Sequence, residues 1–146
     1  MGEIVLVRHG QTEWSAAGRH TSFTDLPLTA EGERQAKGLA PVLAGRRFAA
    51  VLSSPRRRAR DTAALAGLVV TAVDGDLAEW DYGGYEGLTT PEIREQRPGW
   101  DLWRDGCPGG ESPEQVGQRL DRVLERAAAA LDGGDVALVA HGHSLR

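Results

Sequence analysis

Glu3-Ile4-Val5-Leu6-Val7-Arg8-His9-Gly10 is the stretch that decides the fold, because a short apolar run rich in branched residues leads directly into a charged pair and a glycine. Such a run predicts a buried strand over Glu3 to Val7. In an open α/β sheet, ligands bind beyond the carboxyl ends of the strands, which is where Arg8 and His9 fall. We therefore take His9 as the candidate reactive group, on a turn that Gly10 makes easier to form.

Two later stretches repeat this pattern of an apolar strand followed by polar residues. Phe48 to Leu52 predicts a second buried strand, which Ser53-Ser54-Pro55 ends, and Asp135 to Ala140 predicts the last strand, which ends at His141-Gly142-His143-Ser144. Parallel strands would bring the turns after all three strands to one edge of the sheet. The sequence therefore predicts a single site at that edge.

The segments between these strands predict flanking helices and loops. One helix is expected from the Thr29 cap to about Gly45, a second after Ser54 with Pro55 in its first turn, and a third from Thr90 to about Gln96. A fourth is expected to begin at the Ser112 cap. It carries an apolar stripe of Val116, Leu120, Val123, Leu124, Ala127 and Leu131. Leu68 to Thr71 predicts a third strand and Ala72 to Asp76 a turn. Trp14 to Leu26 and Trp100 to Ser112 are expected to be loops that form walls of the site.

The helix after Pro55 carries four arginines that a helical wheel separates. Arg56, Arg57 and Arg60 fall on an outward arc, whereas Arg58 points inward. An isolated buried charge is very costly, so an inward arginine needs an anionic partner. At this point a structural salt bridge to a carboxylate and a bound anion are both open.

Composition limits the classes of function. The net charge of −4 over 146 residues argues against a general binder of nucleic acid or of membranes. The arginine run from Arg56 to Arg60 keeps a non-catalytic anion-binding or nucleic-acid-binding module as an alternative, although no aromatic residues are interleaved with it. The single cysteine, Cys107, cannot form an internal disulfide, and neither a signal stretch nor an apolar run of roughly 18 residues is present. These features predict a soluble cytoplasmic protein.

A metal site is the other alternative at the end of the last strand. His141 and His143 would place two imidazoles on one face of that strand. No cysteine or carboxylate lies nearby at ligand spacing, and Arg8 and Arg58 are expected at the same edge. We therefore predict no metal.

Several motifs resemble the histidine phosphatase superfamily, which includes cofactor-dependent phosphoglycerate mutases and many phosphatases. They are Arg8-His9-Gly10-Gln11-Thr12-Glu13-Trp14 with Asp25-Leu26-Pro27-Leu28-Thr29, the Ser-Ser-Pro-x-x-Arg-Ala stretch at 53–59, the Leu-x-Glu and Gly-x-x-Glu-Gly segments at 77–87, and His141. The resemblance implies a phosphoglycerate mutase-like fold, a three-layer α/β/α sandwich with a mostly parallel central sheet. It also implies a single domain over residues 1–146 that lacks the usual C-terminal strand and helices of the family.

The resemblance further implies how the site works. His9 would attack phosphorus and become a phosphohistidine, Arg8, Arg58 and His141 would hold the phosphoryl oxygens, and Glu79 would donate a proton to the leaving group. Fixed guanidinium and imidazole donors can stabilise the spread negative charge of this reaction without a metal. Further substrate-binding residues are expected at Ser15, Thr21 and His143. His20 and His143 are expected at the rim of the site or just behind the residues that contact the substrate.

Ionisation gives two expectations for this mechanism. Arg8 and Arg58 would lower the pKa of His9, and a hydrogen bond to one ring nitrogen would fix its tautomer. Glu79 must begin protonated, so turnover should be faster below neutral pH unless burial raises the pKa of this carboxyl.

The choice within the superfamily lies between a phosphatase and a mutase. Mutases usually carry asparagine where Ser15 follows Trp14, and they have longer insertions that hold a bisphosphate cofactor. The segments 18–21 and 80–90 are more similar to small phosphatases, including broad-specificity acid phosphatases and sugar-bisphosphate phosphatases. We predict hydrolysis of small phosphomonoesters without a cofactor, 2,3-bisphosphoglycerate being needed only by a mutase. The expected partner is the small-molecule phosphate ester, and a homo-oligomer stays open.

Overall fold

A computed structural model describes all residues from Met1 to Arg146. Its centre is a four-stranded sheet in the order β1-β4-β2-β3, with β1 at Ile4–Arg8, β2 at Phe48–Ser53, β3 at Ala72–Val73 and β4 at Asp135–Ala140. Every neighbouring pair of strands is parallel. The predicted parallel arrangement of the three long strands is therefore confirmed, and their carboxyl ends share one edge.

Six α-helices and three short 3₁₀ turns surround the sheet. The helices are α1 at Glu13–Ala16, α2 at Ala30–Leu43, α3 at Arg57–Leu65, α4 at Thr90–Gln96, α5 at Leu102–Asp105 and α6 at Pro113–Ala130; the 3₁₀ turns lie at Gly75–Leu77, Gly83–Tyr85 and Leu131–Gly133.

The sheet separates two hydrophobic cores. On one face, Val7, Val51 and Val139 pack with side chains of α2 and α3, and on the other face, Val136 and Leu138 pack with α6. Burying each of these valines or leucines contributes roughly 1.5–3 kcal/mol. Helices thus cover both faces, which confirms the predicted three-layer α/β/α sandwich.

A third core lies between the turn-rich segment 80–102 and α6. Trp80, Tyr82, Tyr85, Ile93 and Trp100 are buried in it and pack with two residues of the neighbouring helices, Leu102 and Val116. Aromatic rings bury large apolar areas, so this cluster gives an otherwise irregular segment a fixed position. It supports the backbone that follows Glu79.

The predicted helix starts at Thr29 and Ser112 are confirmed. The Thr29 hydroxyl accepts the peptide N–H of Gly32, and Ser112 and Gln115 form a reciprocal capping box. Thr89 caps α4 in the same way, so the predicted helix over Thr90 to Gln96 is also confirmed.

The third predicted strand is wrong in position. Leu68 to Thr71 is not a strand, and β3 occupies Ala72–Val73, inside the predicted turn. The chain leaves α3 through Gly67 and still has to reach the edge of β2, where the ladder pairs Leu52 with Ala72. Val69 on this approach is 81% exposed, so its apolar character does not mark a buried strand.

The expectation that Pro55 lies in the first turn of α3 is also wrong. The helix begins at Arg57 with Arg56 in the capping position, and Asp25 from a distant loop accepts the peptide N–H of Arg57 at 2.9 Å. Arg56 is not the solvated residue that the wheel predicts, because its guanidinium lies 5.0 Å from the centroid of the Phe23 ring.

Both predicted loops contain a short helix. Thr12 and Ser15 form a capping box that starts α1 just before 14–26, so that the helix extends into this loop, and Asp101 caps α5 within 100–112. These helices of four residues depend on their caps rather than on hydrophobic periodicity, so the pattern of apolar residues does not reveal them.

The first strand is less buried than predicted. It lies at the edge of the sheet and pairs only with β4, so Val7 is buried but Leu6 is 53% exposed. Leu124, a member of the predicted apolar stripe of α6, is likewise 46% exposed.

The amino ends of the strands lie at the opposite edge of the sheet. There, in the turn before β2, Arg46 pairs with both Glu3 and Asp135 at 2.9 and 3.0 Å. Exposed ion pairs of this kind contribute little to stability because solvent screens them, so this edge is held chiefly by the strands themselves.

None of the helices combines the length and the apolar character that crossing a membrane requires.

Candidate active site

The turns after β1, β2 and β4 are joined by backbone hydrogen bonds. The peptide N–H of His9 donates to the carbonyl of Ala140 at 3.0 Å, and that of Ser54 donates to the carbonyl of Val139 at 2.9 Å. These bonds extend the parallel ladders one residue past the strands. They bring the residues around positions 9, 54 and 141 together, as the sequence predicts.

The imidazole of His9 is held in one tautomer. Its Nδ1 lies 2.6 Å from the carbonyl oxygen of Gly10, which can only accept, so Nδ1 carries the proton and Nε2 keeps its lone pair. Burial lowers the pKa of His9 to about 4. The hydrogen bond to Gly10 acts against this shift, and the charges of Arg58 and Arg8 add to it. Burial is thus a larger cause than the arginines to which the sequence pointed. Near neutral pH this ring is uncharged, with the lone pair of Nε2 unprotonated.

The turn that carries His9 packs directly on the backbone of α2. A Cβ atom at Gly10 would lie 2.4 Å from the carbonyl oxygen of Gly32, and one at Gly32 would lie 2.1 Å from that of Gln11. Both distances are far inside van der Waals contact, so this approach requires glycine at both positions. The peptide N–H of Gly10 also donates to the hydroxyl of Thr62 on α3.

Arg58 is fully buried, as the wheel predicts. Its Nη1 donates to the carbonyl of Thr24, its Nη2 donates to those of Ser22 and Thr21, and its Nε has no hydrogen-bond partner. The structure does not support the salt-bridge interpretation, because these partners are neutral carbonyls rather than a carboxylate. The positive charge is therefore available to an anion beside His9 and His141, whose pKa values it lowers.

Glu86 holds the loop that binds Arg58. Its carboxylate accepts the peptide N–H groups of Ser22 and Thr24 and the hydroxyl of Thr24, all at 2.9–3.1 Å. Sequence reasoning assigned Glu86 no role of its own, although its place in the Gly-x-x-Glu-Gly segment was noted. It acts by fixing the carbonyls that position Arg58.

The second histidine at the strand ends, His141, is also fully buried. Its ring lies edge-on to that of His9, with centroids 5.2 Å apart, and its Nε2 is 2.7 Å from the hydroxyl of Ser54. Its Nδ1 has no hydrogen-bond partner in the protein. Burial lowers the pKa of His141 well below its ordinary value, and Arg58 adds to this effect.

Glu79 binds the turn that follows β4. Its carboxylate accepts three peptide N–H groups, from Trp80, His143 and Ser144, at 2.8–3.1 Å. Burial raises the pKa of Glu79, while these hydrogen bonds and the charge of Arg58 act against the rise. The carboxyl is only 6% exposed and lines the cavity described below.

Arg119 of α6 fixes the backbone that carries Glu79. Its guanidinium donates to the carbonyls of Asp76, Ala78 and Glu79 at 2.7–3.0 Å and forms a two-pronged ion pair with Glu111 at 2.8 Å. Sequence reasoning missed Arg119. The available signal was a charged residue at helical spacing within the apolar stripe, between Val116 and Val123.

A cavity of about 270 Å³ opens at this edge of the sheet, next to His9 and Glu79. Of its thirteen lining residues only Tyr82 is hydrophobic; Glu79 is the one acid, and three are arginines, namely Arg8, Arg19 and Arg146. The guanidinium of Arg8 fits against Gly142, where a Cβ atom would come within 3.1 Å of it. The lining is that of a site for a polar anion.

The predicted site residues divide into two groups. His9, Arg8, Glu79, Ser15, Thr21 and His143 line the cavity, whereas Arg58 and His141 are fully buried and do not line it. The hydroxyls of Ser15 and Thr21 already donate to backbone carbonyls, those of Thr12 and Arg19. They can therefore offer a ligand only their remaining lone pairs.

One wall of the cavity is aromatic and tightly ordered. The Tyr82 hydroxyl and Nδ1 of His143 share a hydrogen bond at 2.5 Å, and Nδ1 of His20 donates to the carbonyl of Leu88 at 2.7 Å. His20 is buried but still lines the cavity, and its ring stacks on that of His143. Each imidazole keeps Nε2 for a ligand. Nowhere do three or more His, Cys, Asp or Glu side chains form a group that could hold a metal ion.

The fold and the site define an α/β protein with two neutral histidines, a buried arginine and a buried glutamate side chain at the carboxyl edge of a parallel sheet. The profile of the histidine phosphatase superfamily (branch 1) matches residues 4–146, so the chain belongs to this superfamily. The fold and the family predicted from the sequence are thereby confirmed.

Named relatives agree with this assignment. An acid phosphatase of Mycobacterium tuberculosis is 51% identical to this chain, and the match covers 98% of this chain and 71% of the relative. A sedoheptulose 1,7-bisphosphatase of Saccharomyces cerevisiae is 39% identical, and the match covers 97% of this chain and 64% of the relative. A solved structure of a Mycobacterium tuberculosis open reading frame superposes with a TM-score of 0.95 at 48% identity, over 99% of this chain and 76% of that one. Phosphoglycerate mutases are also among the relatives.

Proposed function

We propose that this chain hydrolyses small phosphomonoesters and that the reaction passes through a phosphohistidine at His9. The observation that carries the proposal is the state of the His9 ring, which is uncharged near neutral pH and bound at Nδ1, so that Nε2 is free to attack. Family membership and the phosphatase names of its relatives support the hydrolytic reaction.

In the first step, the lone pair of His9 Nε2 forms a bond to phosphorus while the bond from phosphorus to the ester oxygen breaks. Protonated Glu79 gives its proton to that oxygen, so the alcohol leaves uncharged. Arg8, Arg58 and the N–H of His141 stabilise the charge on the three equatorial oxygens.

In the second step, the Glu79 carboxylate takes a proton from water as the water oxygen attacks phosphorus. The bond from phosphorus to Nε2 breaks and returns its electron pair to His9, which restores the neutral ring. Inorganic phosphate leaves, and Glu79 is again protonated. The net reaction is ester plus water to alcohol plus phosphate, with no redox change and no metal or cofactor required.

A mutase would use the same first step and then return the phosphoryl group to a substrate hydroxyl. We propose hydrolysis because Ser15 occupies the position where mutases usually carry asparagine. The acid phosphatase and the bisphosphatase named above, both more similar to this chain than the named mutase, also support it. Assays of 3-phosphoglycerate with and without 2,3-bisphosphoglycerate separate the two. Bisphosphate-dependent isomerisation without release of phosphate would reverse the assignment.

The principal test replaces His9 by alanine. We expect His9→Ala to lose at least roughly 1,000-fold of the rate of phosphate release from p-nitrophenyl phosphate, since the nucleophile is gone. Rapid quenching at alkaline pH and mass spectrometry of the digest should find phosphate on His9 in the unaltered protein only. Unchanged unfolding temperature shows that the variant is folded, and undiminished turnover by it would refute the mechanism.

The cellular setting completes the proposal. We propose a cytoplasmic enzyme whose partner is a small phosphate ester and which binds neither nucleic acid nor membranes, consistent with a free cysteine at position 107 and an acidic net charge. Fractionation of cells that express the protein tests the compartment. Retention on heparin at physiological salt would contradict the absence of nucleic-acid binding, and sedimentation would settle whether the chain forms a homo-oligomer.

A further inference from the structure

Ser54 and His141 form a fully buried pair behind the cavity. Both side chains are 0% exposed, and the Ser54 hydroxyl lies 2.7 Å from Nε2 of His141. The peptide N–H of Ser54 is bonded to the carbonyl of Val139, so the serine is held at the end of β4, two residues from the histidine. The pair is thus fixed by the sheet itself.

We infer that Ser54 is a positioning residue that holds His141 in the tautomer with the proton on Nδ1, from which it donates to the transferring phosphoryl group. This inference rests on the function proposed above and adds a residue to it.

The proton of the Ser54 hydroxyl determines which nitrogen of His141 is protonated. The oxygen has two neighbours within hydrogen-bond distance, Nε2 of His141 and the peptide nitrogen of Arg56 at 3.4 Å. The peptide N–H can only donate, so the hydroxyl proton has one acceptor, Nε2. Nε2 therefore carries a lone pair, and the proton of a neutral ring lies on Nδ1.

The second nitrogen of His141 points to the same assignment. Nδ1 is buried without a protein partner, in a ring that contacts His9 edge-on. A buried N–H without a partner is costly, so the site offers this donor to a ligand on His9. The opposite tautomer would set a lone pair against the phosphoryl oxygens and would leave the Ser54 hydroxyl without an acceptor.

The chain supplies a matched control one residue away. Ser53 is also 0% exposed, but its hydroxyl donates to the carbonyl of Ser54 at 2.9 Å and does not contact His141. Ser53→Ala and Ser54→Ala therefore remove the same group from adjacent buried positions. Only Ser54→Ala removes the donor to the imidazole.

The first measurement is the tautomer itself. Long-range ¹H–¹⁵N spectra of histidine-labelled protein distinguish a protonated Nδ1 from a protonated Nε2, and His141→Asn identifies the signals. We expect the unaltered protein and Ser53→Ala to show the proton on Nδ1 and Ser54→Ala to show a mixture or the proton on Nε2. A proton on Nε2 of the unaltered protein would overturn the inference without any variant having to fold.

The second measurement is turnover of p-nitrophenyl phosphate. We expect Ser54→Ala to lower kcat about 10- to 100-fold with little change in KM, since the donor acts on the transition state, and Ser53→Ala to stay within about threefold. Ser54→Cys, with a weak thiol donor, should fall between them. Equal kcat values for Ser53→Ala and Ser54→Ala would refute the role of Ser54, whereas an unaltered protein that hydrolyses no phosphate ester would refute the proposed function instead.

Discussion

The two oxygens of the Glu79 carboxylate have different partners. Oε1 accepts the peptide N–H groups of Trp80 and Ser144, while Oε2 accepts only that of His143. Each carboxylate oxygen has two lone-pair positions, so Oε1 is saturated and Oε2 has room for a proton. The proton that goes to the leaving group is therefore expected at Oε2.

Two ionisations should give a bell-shaped pH profile. His9 must be neutral, so kcat/KM rises as pH increases through about 4. Glu79 must be protonated, and because burial raises its pKa, activity is expected to persist above the ordinary range of a glutamate and to fall as pH rises through the raised value. Rates on p-nitrophenyl phosphate between about pH 3.5 and pH 9, corrected for ionisation of the substrate, measure this profile.

Glu79→Gln is the matched variant for the alkaline limb. It keeps the shape of the side chain but cannot deliver a proton, so turnover should fall roughly 100-fold or more and the decline at high pH should disappear. An alkaline limb that survives in Glu79→Gln would assign that ionisation to another group.

The burial and the partners of a single residue could be predicted where they depend only on residues nearby in the sequence. Arg58 was found because its direction depends only on the pitch of its own helix. Arg56 was not, because the Phe23 ring over which it lies belongs to another loop. The same reason hides Ser54, since the bond to His141 joins residues 87 positions apart in sequence.

At the scale of elements, α6 and the turn before Glu79 are joined by the Arg119 guanidinium. Arg119 is 11% exposed in its side chain and donates to three backbone carbonyls as well as to Glu111. Replacing it leaves those carbonyls and the carboxylate without a donor. The position of Glu79 therefore depends on α6, although no residue of α6 lines the cavity.

Arg119→Met should lower the free energy of unfolding by roughly 2–4 kcal/mol, because it breaks a largely buried ion pair and several hydrogen bonds. It should also lower kcat, since the backbone of Glu79 loses its support. Arg122→Met is the control on the same helix, because Arg122 forms an ion pair with Asp76 but is 54% exposed, and it should lower the free energy of unfolding far less than Arg119→Met. Urea unfolding and steady-state kinetics measure both, and equal losses in the two variants would contradict the role of Arg119.

Long elements were predictable from their own residues, and short ones were not. The caps at Thr29 and Ser112 and the apolar spacing behind them define α2 and α6 locally. The position of β3 depends on the edge of β2 that it joins, and no pattern within Leu68 to Val73 encodes that edge. The four-residue helices α1 and α5 lack the length that periodicity needs.

At the scale of the whole molecule, charge is unevenly distributed. The chain carries a net charge of −4, yet its cavity is lined by three arginines and a single acid. A cavity of one sign attracts ligands of the other sign over about a Debye length, roughly 10 Å at 0.1 M salt. The approach of a phosphate ester should therefore be assisted by the field of the cavity.

We expect kcat/KM for p-nitrophenyl phosphate to fall as ionic strength rises from about 10 to about 300 mM, while kcat at saturation changes little. Arg19→Gln, which removes a charge at the cavity, should lower kcat/KM and flatten this dependence. Arg60→Gln removes the same charge from the exposed face of α3 and should do neither. Identical salt dependence in the two variants would show that the cavity charges do not guide the substrate.

The location of the site was predictable at this scale, but the order of the strands was not. Parallel strands place their carboxyl ends together whichever strands are neighbours, so the turns after β1, β2 and β4 had to meet. That β4 lies between β1 and β2 follows from packing of both faces at once, which no single stretch of sequence determines.

The separation of the two sheet edges makes oriented immobilisation practical. Gly45, in the turn at the edge opposite the cavity, is exposed and has open space around the position of a Cβ atom. A thiol introduced there would attach the protein to a bead or an electrode with the mouth of the cavity directed toward bulk solution. The native Cys107 would compete poorly, because burial raises the pKa of its thiol to about 12 and leaves little thiolate to react.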